Sequence, residues 1–452
     1  MKVKTVHRCS ECGSETPRWL GRCPACEAWG SLVEETVAPR APASGDVGAA
    51  GREPPVPLCE VSTATAATRA TGVGEFDRVL GGGLVPGSVT LLAGEPGTGK
   101  STLLLQALGS MADAGAQCLL VTAEESTAQV RIRADRLGAL APSLLITSET
   151  SLAHVVEHVE SVRPDVLAVD SIQTVVDPDL PGAPGSVNQV RDCAYRLVQE
   201  AKERDIATIL VGHVTKEGTL AGPRVLEHVV DTVLSFEGDR GHALRTLHAL
   251  KHRFGNTNEL GLFEMTEGGL VDVPDASARF LIDRRANATG SAVAAVVEGT
   301  RPMLVEVQAL VVSTSVPPRR YATGLDTARL AMLLGVLAEH SGVRAAQSDV
   351  YARVAGGLRV TETGAALALA LAVASAQLHR PVVAGAVAIG EVGLGGEVRT
   401  VPQLERRLDE AARLGFTIAL VPANGSSTGA ARAGIAVVPV RDVTDALERG
   451  LG

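Results

Sequence analysis

The stretch "SVTLLAGEPGTGKSTLLLQALGSM", residues 88–111, decides the fold. At its centre, Gly94, Glu95, Pro96, Gly97, Thr98, Gly99, Lys100 and Ser101 fit the spacing G-x-x-x-x-G-K-S. The apolar run "SVTLLAG" before it reads as a strand, and "KSTLLLQALGSM" after it as a helix. Gly94, Gly97 and Gly99 let the backbone curl so that its amides point inward at phosphate oxygens. Lys100 is then placed to reach the β- and γ-phosphates. Ser101, with Thr102 behind it, offers a hydroxyl to Mg²⁺. The helix N-terminus adds its dipole to the same anion site. These residues imply binding of ATP with Mg²⁺.

Working outward, "QCLLVTAEE", "PDVLAVDS", "ATILVGHV" and "DTVLSFEG" are further apolar strands separated by helical segments. Such alternation implies an α/β domain with a mostly parallel sheet and helices on both faces, spanning about 61–275. Asp170 closes "VLAVDS" and is the expected carboxylate partner of Ser101 at Mg²⁺. Glu124, the first acidic residue off "VTAEES", is the expected orienter of water, with Glu125 as the alternative. "GHVTKEG" puts His213 and Lys216 near the same strand edge.

Composition bounds the rest. The 452 residues suffice for two or three domains; Asp+Glu number 51 against Lys+Arg 42, a net charge of −9. That balance argues against coating nucleic acid by bulk charge, but leaves room for a groove with a few basic loops. Aromatics are only 2%, so the cores must be built from Ala, Val and Leu. The start "MKVKTVHRCS" has no apolar signal core, and the run "AALALALAVASA" at 365–376 is too short for a bilayer. A cytoplasmic protein with no membrane partner is expected.

Residues 1–34 form a cysteine-rich module. Cys9 and Cys12, then ten residues, then Cys23 and Cys26, make two C-x2-C pairs whose thiolates can close tetrahedrally on Zn²⁺. Without a fifth ligand such a site is structural. Trp19 and Trp29 are expected either to pack over it or to present a contact face. Residues 35–60, rich in Ala, Pro and Gly, read as a linker. "HVVEH", with His154, Glu157 and His158, fits a zinc-peptidase pattern. It sits in a short amphipathic segment between two strands and reads as a crossover helix. Beyond about 286 a second α/β series begins, with helices expected near 324–340, 361–378 and 402–414.

One further segment stands out. "ALKHRFG", 249–255, strings Lys251, His252 and Arg253 together before Phe254 and Gly255. In a strand, Lys251 and Arg253 share a face and His252 points the other way.

With "CSECG…PRWLGRCPACEAWGSL", "EFDRVLGGGLVPGSVTLLAGEPGTGKSTLLLQ", "GHVTKEG", "KHRFG" and "GEVGLGGEVR", the chain resembles the bacterial RadA (Sms) family of DNA-repair proteins over nearly its whole length. The resemblance implies a RecA-like P-loop ATPase domain, a small amino-terminal zinc module and a Lon-protease-like α/β domain over 286–452. It also implies a homohexameric, ATP-driven motor on single-stranded and branched DNA that processes recombination intermediates beside the RecA recombinase. In a RecA-like ring, Lys251 and Arg253 would reach the γ-phosphate of a neighbour, with Phe254 packed beneath. The family pentapeptide is K-N-R-F-G, and here His252 replaces its asparagine. Laid against Lon, Gly364 stands at the serine position and Glu405 at the lysine position. No lysine follows Lys251 in the chain, and arginine cannot supply a neutral amine. The carboxy-terminal domain is therefore expected to be non-proteolytic, with Arg319, Arg320, Arg344, Arg353 and Arg359 as candidate DNA contacts.

Overall fold

The computed structural model describes residues 4–9, 15–24, 28–37, 56–57, 59, 67–213, 223–238, 243–314, 317–424 and 434–452. Cys12, Cys26 and Lys216 lie outside the described residues. The chain divides into two compact units: Met1–Thr257 with Phe263–Asp272, and Asn258–Leu262 with Val273–Gly452.

In the first unit, the strands Leu144–Ser148, Cys118–Thr122, Val166–Asp170, Ala207–His213, Val89–Gly94 and Thr232–Glu237 lie side by side in that order, all parallel. Leu244–His252 pairs antiparallel to Thr232–Glu237, and Gly269–Asp272 with the Phe263–Thr266 part of the strand Leu260–Thr266 extends that edge. The central strand Val89–Gly94 is buried along its whole length, as a parallel strand covered on both faces must be. One apolar layer gathers Leu103, Leu104 and Leu108 of the helix Lys100–Asp113. The other gathers the helices Leu152–Val162 and Val187–Glu203. Each fully buried leucine contributes about 1.5–3 kcal/mol, so the helix behind the phosphate loop is firmly seated. The "HVVEH" segment belongs to Leu152–Val162, and His154 meets Glu149 at its exposed start.

The amino-terminal module is a three-stranded ribbon in which Lys4–Cys9 pairs with Glu15–Thr16 on one side and Leu32–Val37 on the other. Cys9, Cys23 and Leu32 form its small buried cluster.

The second unit holds a seven-stranded sheet in the order Arg320–Thr323, Ser348–Val354, Arg301–Ser313, Ser291–Glu298, Ala386–Ala388, Ile418–Pro422, Ala436–Val440. Helices run over Thr327–Ser341, Ala366–Leu378 and Leu404–Arg413. The helix Ala366–Leu378 is buried from Ala366 to Ser375, which explains its unbroken Ala/Leu sequence. No helix among the described residues is long and apolar enough to cross a membrane.

Candidate functional site: a phosphate loop at the strand ends

The parallel strands all deliver their carboxyl ends to one edge of the sheet. Gly94 lies opposite His213 on the neighbouring strand, and Thr122 opposite Asp170. The loop from Glu95 to Gly99 leaves this edge and enters the helix Lys100–Asp113 with Gly99 in the left-handed region at φ 111°. A Cβ at Gly94 would come within 2.2 Å of the Phe236 carbonyl oxygen, so only glycine fits there. Lys100 Nζ donates to the Gly94 and Glu95 carbonyls at 2.8 and 2.9 Å, which folds the loop around its own amine. The amine is buried; that burial lowers its pKa below the ordinary lysine range, opposed by the charges of Asp170 and Glu124.

Asp170 is the complementary group. Burial raises its pKa above the usual carboxylate range, while a hydrogen bond from Ser101 holds it down. Glu124 adds to the rise; His213 and Lys100 oppose it. A desolvated carboxylate paired with a hydroxyl is a fitting pair of oxygen ligands for Mg²⁺, whose charge would relieve the cost of ionising Asp170. Bound there, Mg²⁺ would draw charge from the phosphate oxygens.

The two neighbouring glutamates have different surroundings. Glu124 Oε1 accepts from Ser171 Oγ at 2.5 Å and lies 3.1 Å from His213 Nε2, at the edge that carries Lys100 and Asp170. Glu125 turns away to Arg133, whose Nη2 donates to it at 2.6 Å. The structure thus gathers Lys100, Ser101, Asp170, Glu124 and His213 at one edge. Sequence reading passed over Arg245. From the antiparallel strand Leu244–His252 its Nε donates to the Thr98 carbonyl at 2.9 Å and braces the loop. A buried arginine in a strand carries no motif; the only signal was a charge on the inward side of the alternation "LRTLHA".

Lys251 and Arg253 lie elsewhere. Lys251 pairs with Val233, which pairs with Leu91, so the segment sits three residues short of Gly94, about 10 Å down the strand direction. The expectation of two cations projecting freely from a regular strand is corrected. Leu250 forms a bulge between Ala249 and Lys251, and the strand ends at His252. Lys251 Nζ donates to the Glu227 and Val230 carbonyls at 2.5 and 2.8 Å. Arg253 Nη1 meets Asp231 at 2.9 Å. The cause is Asp231, a buried carboxylate whose other oxygen accepts from Val89 N at 3.1 Å and which requires a compensating charge. Arg253 nevertheless keeps half of its side chain in solvent, at 52%. Phe254 is exposed rather than packed beneath, and His252 Nδ1 lies 3.2 Å from Thr232 Oγ1.

In the ribbon, Cys9 and Cys23 are buried side by side among the described residues, a fit for thiolate ligands of Zn²⁺. The second knuckle is closed by Cys23 N donating to the Ala28 carbonyl at 2.9 Å. Trp19 and Trp29 are exposed at 59% and 79%, so they present a surface rather than cover the cysteines. Replacing Cys9 or Cys26 by serine is expected to release one zinc per chain while sparing nucleotide binding. Metal analysis of the intact protein that finds no zinc would contradict the site.

In the second unit the side chain facing Gly364 is that of Arg407. A Cβ at Gly364 would lie 2.9 Å from Arg407 Nη1. The Arg407 guanidinium is buried and holds both oxygens of Glu362, at 2.7 and 2.6 Å, and the Ala295 carbonyl at 2.7 Å. A fixed ion pair therefore fills the space beside Gly364. Removing either partner would strand the other charge at a cost of about 3–5 kcal/mol.

A family model described as KaiC matches residues 69–150, and one described as a rubredoxin metal binding domain matches residues 7–34. The chain is 45% identical over all of its length, and 99% of the relative's, to the DNA repair protein RadA of Bacillus subtilis. It is 48% identical to the RadA of Pseudomonas aeruginosa over 99% of both chains, and 46% identical to a Streptococcus pyogenes RadA over the same shares. The chain belongs to the RadA family. A RecA/KaiC-like ATPase domain and a zinc-ribbon module are thus parts of it. The family match covers both compact units and the ribbon alike.

Proposed function

We propose that this chain is a DNA-dependent ATPase of DNA repair and homologous recombination. In this reading six copies form a ring that moves along single-stranded DNA and processes branched intermediates, beside the RecA recombinase. The reading rests on the gathering of Lys100, Ser101, Asp170 and Glu124 at one edge of the parallel sheet. Lys100 and the loop amides hold the ATP phosphates, Ser101 and Asp170 hold Mg²⁺, and Glu124 orients the attacking water. Ser171 and His213, both on Glu124 Oε1, fix that carboxylate and so are positioning residues.

Lys251 and Arg253 lie too far down the sheet to serve their own subunit's phosphates, so they serve the ATP of a neighbouring copy. Arg253, half in solvent, is the reaching group; Lys251 holds the turn at 227–230 that aims it. The carboxy-terminal unit contributes to ring building and DNA contact and has no peptidase activity, because Gly364 offers no nucleophile and Arg407 no neutral base. The test is ATP hydrolysis by the full-length protein with and without single-stranded DNA. Stimulation of several-fold or more by DNA is expected. Turnover indifferent to DNA would leave a ring that ATP merely gates, and would overturn this reading.

A further inference from the structure

One cavity outside the phosphate-loop edge lies wholly in the second unit. It has a volume of about 510 Å³, within the range of ligand-binding clefts. Its wall is one face of the seven-stranded sheet. Toward one end that face is covered: Val293 and Leu304 pack with Leu408 and Ala411 of the helix Leu404–Arg413. Toward the other end the same face of the strand Arg301–Ser313 continues through Glu306, Gln308 and Leu310, which line the cavity.

Strand register arranges what stands on the open part. Leu310 lies opposite Tyr351, and Tyr351 lies beside Tyr321 in the parallel pair. The two tyrosine rings stack with centroids 5.4 Å apart and planes 5° from parallel. Each ring therefore has one face turned to its partner and one turned away. Leu310, Tyr321 and Tyr351 are 58%, 53% and 39% exposed, in a chain with few aromatics to spare. One step along the sheet, Arg353 Nε donates to Gln308 Oε1 at 2.8 Å, and its two Nη groups have no partner among the described residues. Arg285, also on the cavity wall, has none either. At the floor the buried Glu306 carboxylate accepts from Ser291 Oγ at 2.5 Å.

We propose that Tyr321 and Tyr351 are a base-stacking platform for single-stranded nucleic acid, with Arg353 and Arg285 taking the flanking phosphates. The proposal rests on the reading that the chain works on single-stranded DNA, and names residues that would grip it. The chemistry selects this occupant. Free aromatic faces bind unpaired bases of any sequence, whereas a duplex keeps its base faces hidden. A phosphate alone does not suit a floor made by the Glu306 carboxylate, but an N–H on a base edge, the N3–H of thymine or an exocyclic amino group, does. A second copy of this same face would bring its guanidinium groups against these, charge on like charge.

The experiment compares binding of the full-length protein, with a non-hydrolysable ATP analogue, to labelled oligo(dT) and to an abasic oligodeoxynucleotide of equal length. Tyr321→Ala and Tyr351→Ala are expected to weaken oligo(dT) binding about ten-fold each, the scale of losing one stacked base. Abasic binding and DNA-free ATP turnover should stay as in the wild type, and Tyr→Phe at either position should restore oligo(dT) binding. Alanine variants that keep wild-type affinity for oligo(dT), or lose both strands equally, overturn the platform. Alanine variants whose assembly mass falls show the face to be a contact between copies, which also overturns it. A wild-type protein that binds neither strand instead overturns the functional reading, and the platform with it.

Discussion

Lys100→Ala is expected to lose ATP turnover by about 10²–10³-fold, the scale seen when a preorganised charge-stabilising donor is removed. The Gly94 and Glu95 carbonyls hold the amine inside the loop, where it can meet phosphate. The fold should survive. Lys100 spends its hydrogen bonds on the Gly94 and Glu95 carbonyls, and losing them costs on the order of 1 kcal/mol each. The leucines behind it stay in place. A thermal melt of the variant should therefore remain cooperative and shift by only a few degrees. Hydrolysis at the wild-type rate would show that the loop has been misread.

Arg253→Ala is expected to cut turnover by about 10³-fold or more if it acts on a neighbour's ATP, the scale of an arginine finger. Its bond to Asp231 complicates a single variant, because removing it also uncovers a buried carboxylate. Mixing separates the two effects. A subunit carrying Lys100→Ala keeps an intact Arg253, and an Arg253→Ala subunit keeps an intact loop. Where the first stands beside the second, one competent site is rebuilt. Activity regained on mixing two inactive variants, before or after exchange of subunits, supports action between copies. A merely structural Arg253 cannot be rescued this way, and an inactive mixture of well-folded variants would contradict the assignment. Lys251→Ala should behave alike but more mildly.

The phosphate loop was legible because its chemistry is backbone chemistry. Gly94 is forced by the Phe236 carbonyl and Gly99 by its left-handed φ, so the glycine spacing is itself the signal. Asp170 was legible for a related reason, as the residue at which an apolar strand runs out. The choice between Glu124 and Glu125 was not, since what distinguishes their surroundings, Ser171 on one and Arg133 on the other, lies away from the pair in sequence. The "KHRFG" segment misled for the same cause. Its alternation was real as far as Ala249, but the bulge at Leu250 and the demand of Asp231 set where the cations go. The missing lysines were readable from composition alone, and Gly364 from the resemblance to Lon. That Arg407 and Glu362 fill the vacated place depends on a helix some forty positions downstream, and no spacing announces it. The tyrosine stack is likewise a product of strand register, with its two rings thirty residues apart.

Hydrolysis at Lys100 is proposed to drive movement along DNA. The direct measurement is displacement of streptavidin from the biotinylated end of a single-stranded oligonucleotide by the full-length protein. With ATP and Mg²⁺, displacement should proceed at one end of the strand, stop when a non-hydrolysable analogue replaces ATP, and be absent for Lys100→Ala. Displacement that is equal with the analogue and with ATP, or no displacement at either end under conditions where DNA stimulates hydrolysis, would contradict it.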